Sequence, residues 1–293
     1  MLFQQVIAGL ITGSLYALVA LGLVMAYKVT EVMNFAYGYM AMISAYIFYS
    51  LFVVFGLNYA SSFALAVLVG VGMGYVVERG LLRPVRYISP TSMVIITLGV
   101  LLVLQGLALQ IWGNEYQHVP NALNGKPLIF RTFGGIVVIP QQSLLIVGIV
   151  FATVIFLFLY LKFTYQGMAF RATSQNEEAA KLMGINTNLN MSLSWMISGA
   201  LGAAAAILAA PQTFVYPDMM LNLQIMGFTA AVLGGFDSIL GAIIGGVTLG
   251  VVDNLVGAYL SNNLRATFSL AIIVAILLVR PEGIFGRPKS RRV

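Results

Sequence analysis

FTYQGMAFRATSQNEEAAKLMGINTNLN, residues 163–190, is a long polar interval between apolar segments, and its pattern is that of a built structure. Ser174 and Glu177 stand three residues apart, the spacing of a capping box. In that motif the hydroxyl accepts a hydrogen bond from a backbone N–H, and the glutamate reaches back to the residue that caps the helix. This spacing predicts a short helix over about residues 175–183.

The residues that follow specify the rest of this helix. Glu177 and Glu178 lie in its first turn, and Lys181 lies in its last turn, which is the arrangement that the helix dipole favours. Gly184 can adopt the left-handed conformation that ends a helix. A helix with both ends specified in a polar interval is either a loop helix that rests on its own protein or on lipid headgroups, or a knob that docks into a partner.

The apolar face of the predicted helix is small. Ala179, Leu182 and Met183 share one side at three- and four-residue spacing, too few residues to form a core. The pattern alone does not choose between the loop helix and the knob.

The composition identifies the class of protein. Of the 293 residues 60% are hydrophobic and only 8% are charged, whereas a soluble domain carries roughly 25% charged residues. The chain is therefore predicted to be an all-α polytopic membrane protein, a single transmembrane domain over 1–293 with a cytoplasmic loop at about 163–190. The net charge of +6 does not indicate nucleic-acid binding, because the basic residues lie in loops and near the C-terminus. With no cysteine, disulfides and thiolate metal sites are excluded.

Hydropathy predicts eight or nine spans, since a spanning helix needs about 20 apolar residues. The first is expected to be retained rather than cleaved, because no basic residue precedes Lys28. The interval 221–258, interrupted by Gly234 and Gly235, is either two spans or a span with a re-entrant piece. The predicted spans are 5–27, 34–55, 61–78, 92–112, 142–161, 190–209, 221–236, 239–258 and 265–280.

The basic residues predict the orientation. With nine spans and an external N-terminus, twelve of the fifteen Lys and Arg residues fall on the cytoplasmic side. Only Lys126, Arg131 and Arg265 fall outside. Cytoplasmic loops carry the excess of basic residues, so the N-terminus is predicted outside and the C-terminus in the cytoplasm. The residues 113–141 then form an external loop.

Glycines recur four residues apart inside the predicted spans. This spacing lets helix backbones approach closely, and plain helix packing is the expected reason for it. The pairs are Gly9 and Gly13, Gly70 and Gly74, Gly241 and Gly245, and Gly246 and Gly250.

No catalytic constellation is evident. The single histidine, His118, has no acid or base partner in its loop, and no metal site is predicted. Asp237 is expected to cap a helix at a turn. An intramembrane aspartyl protease is disfavoured because the Gly-x-Gly-Asp motif is missing at this residue.

A few polar residues within the spans are candidates for a substrate path. Asp253 and the neighbouring Asn254 lie inside a span, where an ionisable group often marks a functional site, although a hydrogen bond between helices explains it equally well. Asn34, Gln105 and Gln224 are weaker candidates. The chain has no phosphate-binding loop of the G-x-x-x-x-G-K-[ST] type, so ATP-driven transport would need its ATPase on another chain.

Motifs spread over nearly the whole chain resemble a known family, the permease subunits of bacterial ABC importers for branched-chain and other hydrophobic amino acids. The family often has His, Gly and an acid where this chain has Tyr37, Gly38 and Tyr39, and Gly where it has Asp237. The motifs are Gly13–Leu18, Asn34–Gly38, Glu78-Arg79, Arg83-Pro84, Arg86, Ser89-Pro90, Thr97–Gly99, Gly167–Ala172, Glu178–Ala180, Leu182–Asn186, Ala230–Gly235, Gly241-Ala242, Gly245-Gly246 and Arg280–Gly286.

This resemblance implies a set of partners: a second homologous permease, two cytosolic ATPase subunits that bind ATP and Mg, an external substrate-binding protein, and the lipid of the bacterial inner membrane. No cofactor is expected in this chain. The resemblance also implies that residues 167–184 form the coupling loop, which favours the knob. The residues assigned to ATPase coupling are Arg171, Ser174, Glu177, Glu178, Ala179, Leu182, Met183 and Gly184.

The sequence therefore predicts a non-enzymatic permease subunit that imports hydrophobic amino acids by alternating access. Relatives that carry urea or short amides leave that substrate class open. A secondary transporter or channel without an ATPase is the alternative from another class, but such proteins more often carry intramembrane ion pairs or proton relays.

Overall fold

The computed structural model describes residues 2–86, 89–123, 125–132, 135–261, 264–280 and 282–286. Helices dominate the described residues, and two of them run on into π-helical turns at Ser50–Val54 and Val77–Leu82. The helices are α1 (Leu2–Thr30), α2 (Tyr37–Tyr49), α3 (Tyr59–Val76), α4 (Pro90–Trp112), α5 (Gln141–Phe163), α6 (Tyr165–Gln175), α7 (Glu177–Leu182), α8 (Thr187–Thr213), α9 (Leu221–Gly234), α10 (Ile239–Tyr259) and α11 (Leu264–Val279).

Each predicted span coincides with a helix. Among the described residues seven helices are long and apolar enough to cross a membrane, and α9 and α11 are shorter apolar helices. The interval 221–258 consists of two helices, α9 and α10, separated by a turn. Whether both cross the membrane, and on which side the termini lie, stays a prediction.

Side-chain caps mark where several helices begin. The side-chain oxygen of Asn58 accepts a hydrogen bond from Ser61 N at the start of α3, and that of Ser89 accepts one from Ser92 N at the start of α4. At the start of α10 the cap is Ser238, which accepts from Gly241 N, so the prediction that Asp237 caps this helix is wrong. The chain turns tightly before α10, and Ser238 rather than Asp237 takes the extended conformation from which a side chain reaches the first turn.

A β-hairpin interrupts the segment predicted as an external loop. Strand β1 (Leu128–Thr132) pairs antiparallel with β2 (Gly135–Ile139). The side chain of Gln4 both donates to Val138 O and accepts from Val138 N, at 3.1 and 3.0 Å, so the hairpin is tied to the beginning of α1. Hydropathy does not predict these strands, because both are short and their pairing depends on a contact far along the chain.

The chain packs as two compact units, each assembled from separate stretches of sequence. The first unit contains 1–24, 121–150 and 223–293, and the second contains 25–120 and 151–222. These packing units do not test the prediction of a single transmembrane domain, because a domain is also defined by its function. That prediction stays a prediction.

In the second unit, α8 is the central helix. The glycines Gly70 and Gly74 of α3 lie against its backbone, and a Cβ added to Gly74 would collide with the carbonyl oxygen of Trp195. The Trp195 side chain is fully buried in an apolar cluster with Met40 and Leu82. Close backbone packing is thus the reason for this glycine pair, as predicted.

In the first unit, glycines also allow close backbone packing between helices. A Cβ on Gly13 of α1 would stand 2.9 Å from Val247 Cα of α10, and one on Gly250 would collide with the backbone of Gly13. Gly245 lies equally close to α9, where an added Cβ would collide with Ala230 O. Small residues at these crossings let the helices touch backbone to backbone.

Candidate functional site

The 163–190 segment folds into two short helices, α6 and α7, joined at Asn176. The α7 helix begins at Glu177, and its cap is Asn176, whose Oδ1 accepts from Ala179 N at 3.0 Å. The predicted capping box is therefore wrong. Ser174 belongs to the last turn of α6, where its hydroxyl donates to Arg171 O, because the preceding residues continue a helix that Thr164 caps. An Asn immediately before two glutamates is an equally good capping signal, and it could have identified the start of α7.

The end of α7 agrees with the prediction. Gly184 has a φ of +79°. Its N–H donates to Lys181 O and that of Ile185 donates to Ala180 O, both at 3.0 Å, which is the Schellman pattern of a helix C-terminus. The position of Lys181 in the last turn is also confirmed.

One ion pair and hydrogen bonds hold the segment to neighbouring parts of the second unit, and a second ion pair lies within α7. Arg86 donates to Glu177 Oε1 at 2.9 Å, and Lys181 pairs with the same oxygen at 2.6 Å. Behind α6, the buried side chain of Asn190 donates to Thr173 Oγ1 at 2.8 Å. A cavity of about 410 Å³ lies beside these contacts, lined by both acidic and basic side chains.

A second polar cluster ties the end of α3 to α8. The carboxylate of Glu78, which is 2% exposed, accepts two hydrogen bonds from the guanidinium of Arg83, at 3.1 and 2.8 Å. Ser192 Oγ donates to the same carboxylate at 2.6 Å, and Arg83 also donates to Asn188 O. Arg86, which bonds to Glu177 of α7, follows Arg83 by three residues, and Arg83 bonds to Ser192 of α8. Residues 78–86 therefore connect α7 to α8 through polar contacts.

The apolar side chains at the end of α7 are not part of this bracing. Leu182 is 89% exposed and Met183 is 82% exposed. Ala179, Glu178 and Arg171 are exposed as well. Most of the predicted coupling residues are therefore exposed. We call the four on α7 and at its C-cap the α7 face (Glu178, Ala179, Leu182, Met183), whereas Arg171 and Ser174 belong to α6 and Glu177 belongs to the bracing. The coupling role itself stays a prediction.

The predicted substrate-path residues are distributed over both units. In the first unit, the buried carboxylate of Asp253 accepts from Tyr16 OH at 3.1 Å, and Asn254 donates to Gly250 O within its own helix. Asp253 thus makes the hydrogen bond between helices that was the alternative to a functional role. Its other carboxylate oxygen has no hydrogen bond among the described residues. Gln224 lies half-buried in the same unit.

In the second unit, Asn34 and Gln105 have different surroundings. Asn34 is 4% exposed, and its amide nitrogen lies 3.7 Å from the sulfur of Met40. Gln105 donates to Asp218 Oδ1 at 3.1 Å. Sequence reasoning does not single out Asp218, because it stands in the loop between α8 and α9 and only the tertiary structure brings it to α4.

These features define a class: a polytopic helical membrane protein with a braced, exposed helix pair between two spans. The model of the family described as "Branched-chain amino acid transport system / permease component" matches residues 5–279. The chain belongs to this family and is a multi-pass permease of the bacterial cytoplasmic membrane.

Three relatives show how far the likeness extends. The high-affinity branched-chain amino acid transport system permease protein LivH of Escherichia coli (strain K12) is 31% identical, over 99% of this chain and 97% of that protein. Its counterpart BraD of Pseudomonas aeruginosa is 32% identical over the same shares. The probable branched-chain amino acid transport permease protein LivH of Methanocaldococcus jannaschii is 31% identical, over 94% of this chain and 90% of that protein.

A solved structure shares the fold. The structure of PsaBC from Streptococcus pneumoniae in complex with Fab contains a chain that is similar at a TM-score of 0.51 and 15% identity, over 95% of this chain and 91% of that chain. At this identity the likeness concerns the fold alone.

Proposed function

We propose that this chain is one of two permease subunits of an ATP-driven importer that moves branched-chain or other hydrophobic amino acids by alternating access. In this proposal two cytosolic ATPase subunits bind and hydrolyse ATP, and an external binding protein delivers the substrate. The membership of the family and the names of the relatives support the substrate class.

The observation that carries the proposal is the α7 face. A leucine and a methionine exposed at 89% and 82% on a helix with both ends capped are costly in water, since burying such a side chain is worth about 1.5–3 kcal/mol. A rigid apolar knob of this kind is suited to a groove on a partner. The partner would be the ATPase that this chain lacks.

The bracing suggests how movement of the partner would reach the spans. A displacement of α7 pulls on Arg86 through Glu177, and the Glu78–Arg83 pair beside it holds α8 through Ser192. A polar connection between stiff helices transmits displacement better than a flexible loop. ATP can drive the change only by favouring one of the two conformations through the ATPases.

The test of the function is purification and uptake. When this chain is expressed with its partner genes and purified in mild detergent, we expect the second permease and both ATPases to elute with it. The complex, reconstituted in liposomes with the binding protein outside, should accumulate leucine only with ATP inside. Uptake without ATPase chains would identify a secondary transporter or channel, and uptake of urea with none of leucine would place the chain among the amide permeases.

The orientation has its own test, which uses the absence of cysteine. Single cysteines at Glu115 and at Met183, both exposed, should differ in labelling by an impermeant thiol reagent on intact cells. We expect the Glu115→Cys protein to react and the Met183→Cys protein to react only after the cells are opened. Asn124, in the same predicted external loop as Glu115, lies outside the described residues. The reverse pattern would invert the proposed orientation.

A further inference from the structure

Asp218 is a carboxylate held against two helices, α2 and α4, that are long and apolar enough to cross a membrane. The segment between α8 and α9 folds back after Val215, which exchanges two backbone hydrogen bonds of 2.9 Å with Gln117. Asp218 Oδ1 then accepts from Tyr39 OH at 2.9 Å and from Gln105 Nε2 at 3.1 Å. Gln105 lies seven residues before the end of α4, which is about 10 Å along the helix.

This carboxylate is exposed and unpaired. Asp218 is exposed in the isolated chain, and it takes part in none of the ion pairs of the described residues. Both of its hydrogen bonds fall on Oδ1, so Oδ2 has no donor among the described residues. A charge beside membrane-spanning helices is disfavoured against hydrocarbon, so such a group faces water or a partner instead.

A buried polar group on the same side of α2 as Tyr39 is also without a hydrogen-bond partner among the described residues. Tyr46 lies two helical turns beyond Tyr39 on the same side of α2 and is fully buried. Its hydroxyl makes no hydrogen bond to any residue that the structure describes. Buried hydroxyls almost always have a hydrogen-bond partner, so Tyr46 is a polar group on this side of α2 that the described residues do not satisfy.

Aromatic rings cluster at the residues that precede Asp218 in the chain. Tyr216 stands two residues before Asp218, and its ring lies 4.7 Å from that of Tyr116, which in turn packs edge-on against Phe214. Tyr116 and Phe214 are 68% and 46% exposed. The surface therefore combines an unpaired anion with exposed apolar rings, which is the complement of a molecule with a cationic end and an apolar end.

We propose that Asp218, positioned by Tyr39 and Gln105, binds the α-ammonium group of the amino acid as it crosses the membrane, while the neighbouring rings contact its apolar side chain. This inference rests on the proposed function and adds to it the residue that recognises the substrate. The permease itself then selects for an amine, independently of the external binding protein.

The test measures binding of tritiated L-leucine to the purified complex of both permeases and both ATPases, without the binding protein. Two competitors separate the two ends of the substrate: 3-methylbutylamine keeps the amine and lacks the carboxylate, and 4-methylpentanoate keeps the carboxylate and lacks the amine. For the unchanged protein we expect the amine to compete and the acid to compete poorly. Asp218→Asn should weaken leucine binding about 30-fold or more and abolish the preference for the amine.

Two further variants make the result specific. Tyr39→Phe removes one hydroxyl that orients the carboxylate, so a smaller loss of affinity with the amine preference retained is expected. Glu115→Gln neutralises an exposed carboxylate two residues before Gln117, and leucine binding should not change.

Several outcomes would overturn the inference. They are unchanged leucine binding in Asp218→Asn, equal competition by amine and acid, and leucine uptake by a complex that binds no leucine without the binding protein. Loss of the second permease from Asp218→Asn, with normal binding in the complexes that remain, would assign Asp218 to the interface between permeases. If the unchanged complex takes up no leucine at all, the proposed function fails, and this inference falls with it.

Discussion

Leu182→Glu should leave the protein in the membrane and bound to its partner permease, but release the ATPases. Leu182 is 89% exposed, so the substitution disturbs no packing within the chain. In a groove on the ATPase it would replace a buried leucine, worth about 1.5–3 kcal/mol, by an unpaired charge whose desolvation adds to the loss. We expect the affinity for the ATPases to fall by roughly 100-fold or more.

The measurement is the amount of ATPase that elutes with the purified permease pair, followed by leucine-stimulated ATP hydrolysis. Leu182→Met keeps the apolar contact and should behave as the unchanged protein. Gln175→Glu adds the same charge to the exposed end of α6 and should also retain the ATPases. Full retention and full stimulation in Leu182→Glu would show that the α7 face is not the ATPase contact.

Arg83→Met should be the most destabilising single change among the polar contacts described. It removes both hydrogen bonds that the guanidinium makes to Glu78 and leaves a carboxylate that is 2% exposed without its counter-ion. Breaking a buried pair from one side typically costs about 3–5 kcal/mol. The connection from α7 to α8 should loosen at the same time.

A double variant separates the lost contact from the unpaired charge. Glu78→Gln in the Arg83→Met background removes the charge and keeps an acceptor for Ser192, so we expect it to recover much of the lost stability. The free energy of unfolding of the purified protein in detergent, measured for both variants, decides this. If the single variant is as stable as the unchanged protein, or the double variant is no more stable than the single one, the pair is not a buried brace.

The two predictions concern opposite ends of the polar connection between the α7 face and α8. Leu182 tests the surface that would meet the ATPases, and Arg83 tests the polar connection behind it. A protein that binds its ATPases normally but hydrolyses ATP without transport would be the expected phenotype of a weakened connection. The comparison of the two variants therefore distinguishes assembly from transmission.

The sequence by itself determined the features that short-range chemistry encodes. The positions of the spans follow from runs of apolar residues, because a helix in hydrocarbon must satisfy its own backbone and needs a minimum length. The end of α7 follows from Gly184, since the left-handed conformation there suits glycine. Glycines four apart predicted close helix crossings, and Gly13 and Gly74 make them.

Where several local signals competed, the sequence alone did not determine where a helix begins. Ser174 and Asn176 are both good caps, and the choice depended on how far α6 continues, which its contacts with α8 help to determine. The hairpin and the cap at Ser238 escape prediction for a similar reason. Their sequences permit several conformations, and the pairing with Gln4 or the turn before α10 selects one.

Only the tertiary structure could reveal which polar residues act together. Arg86 meets Glu177 across 91 positions of the chain, and Gln105 meets Asp218 across 113. No periodicity in the sequence predicts such a pairing, because the pairing depends on how the helices pack and not on the residues next to each partner. Hydropathy determined that this chain crosses the membrane, whereas helix packing decided which polar side chains meet.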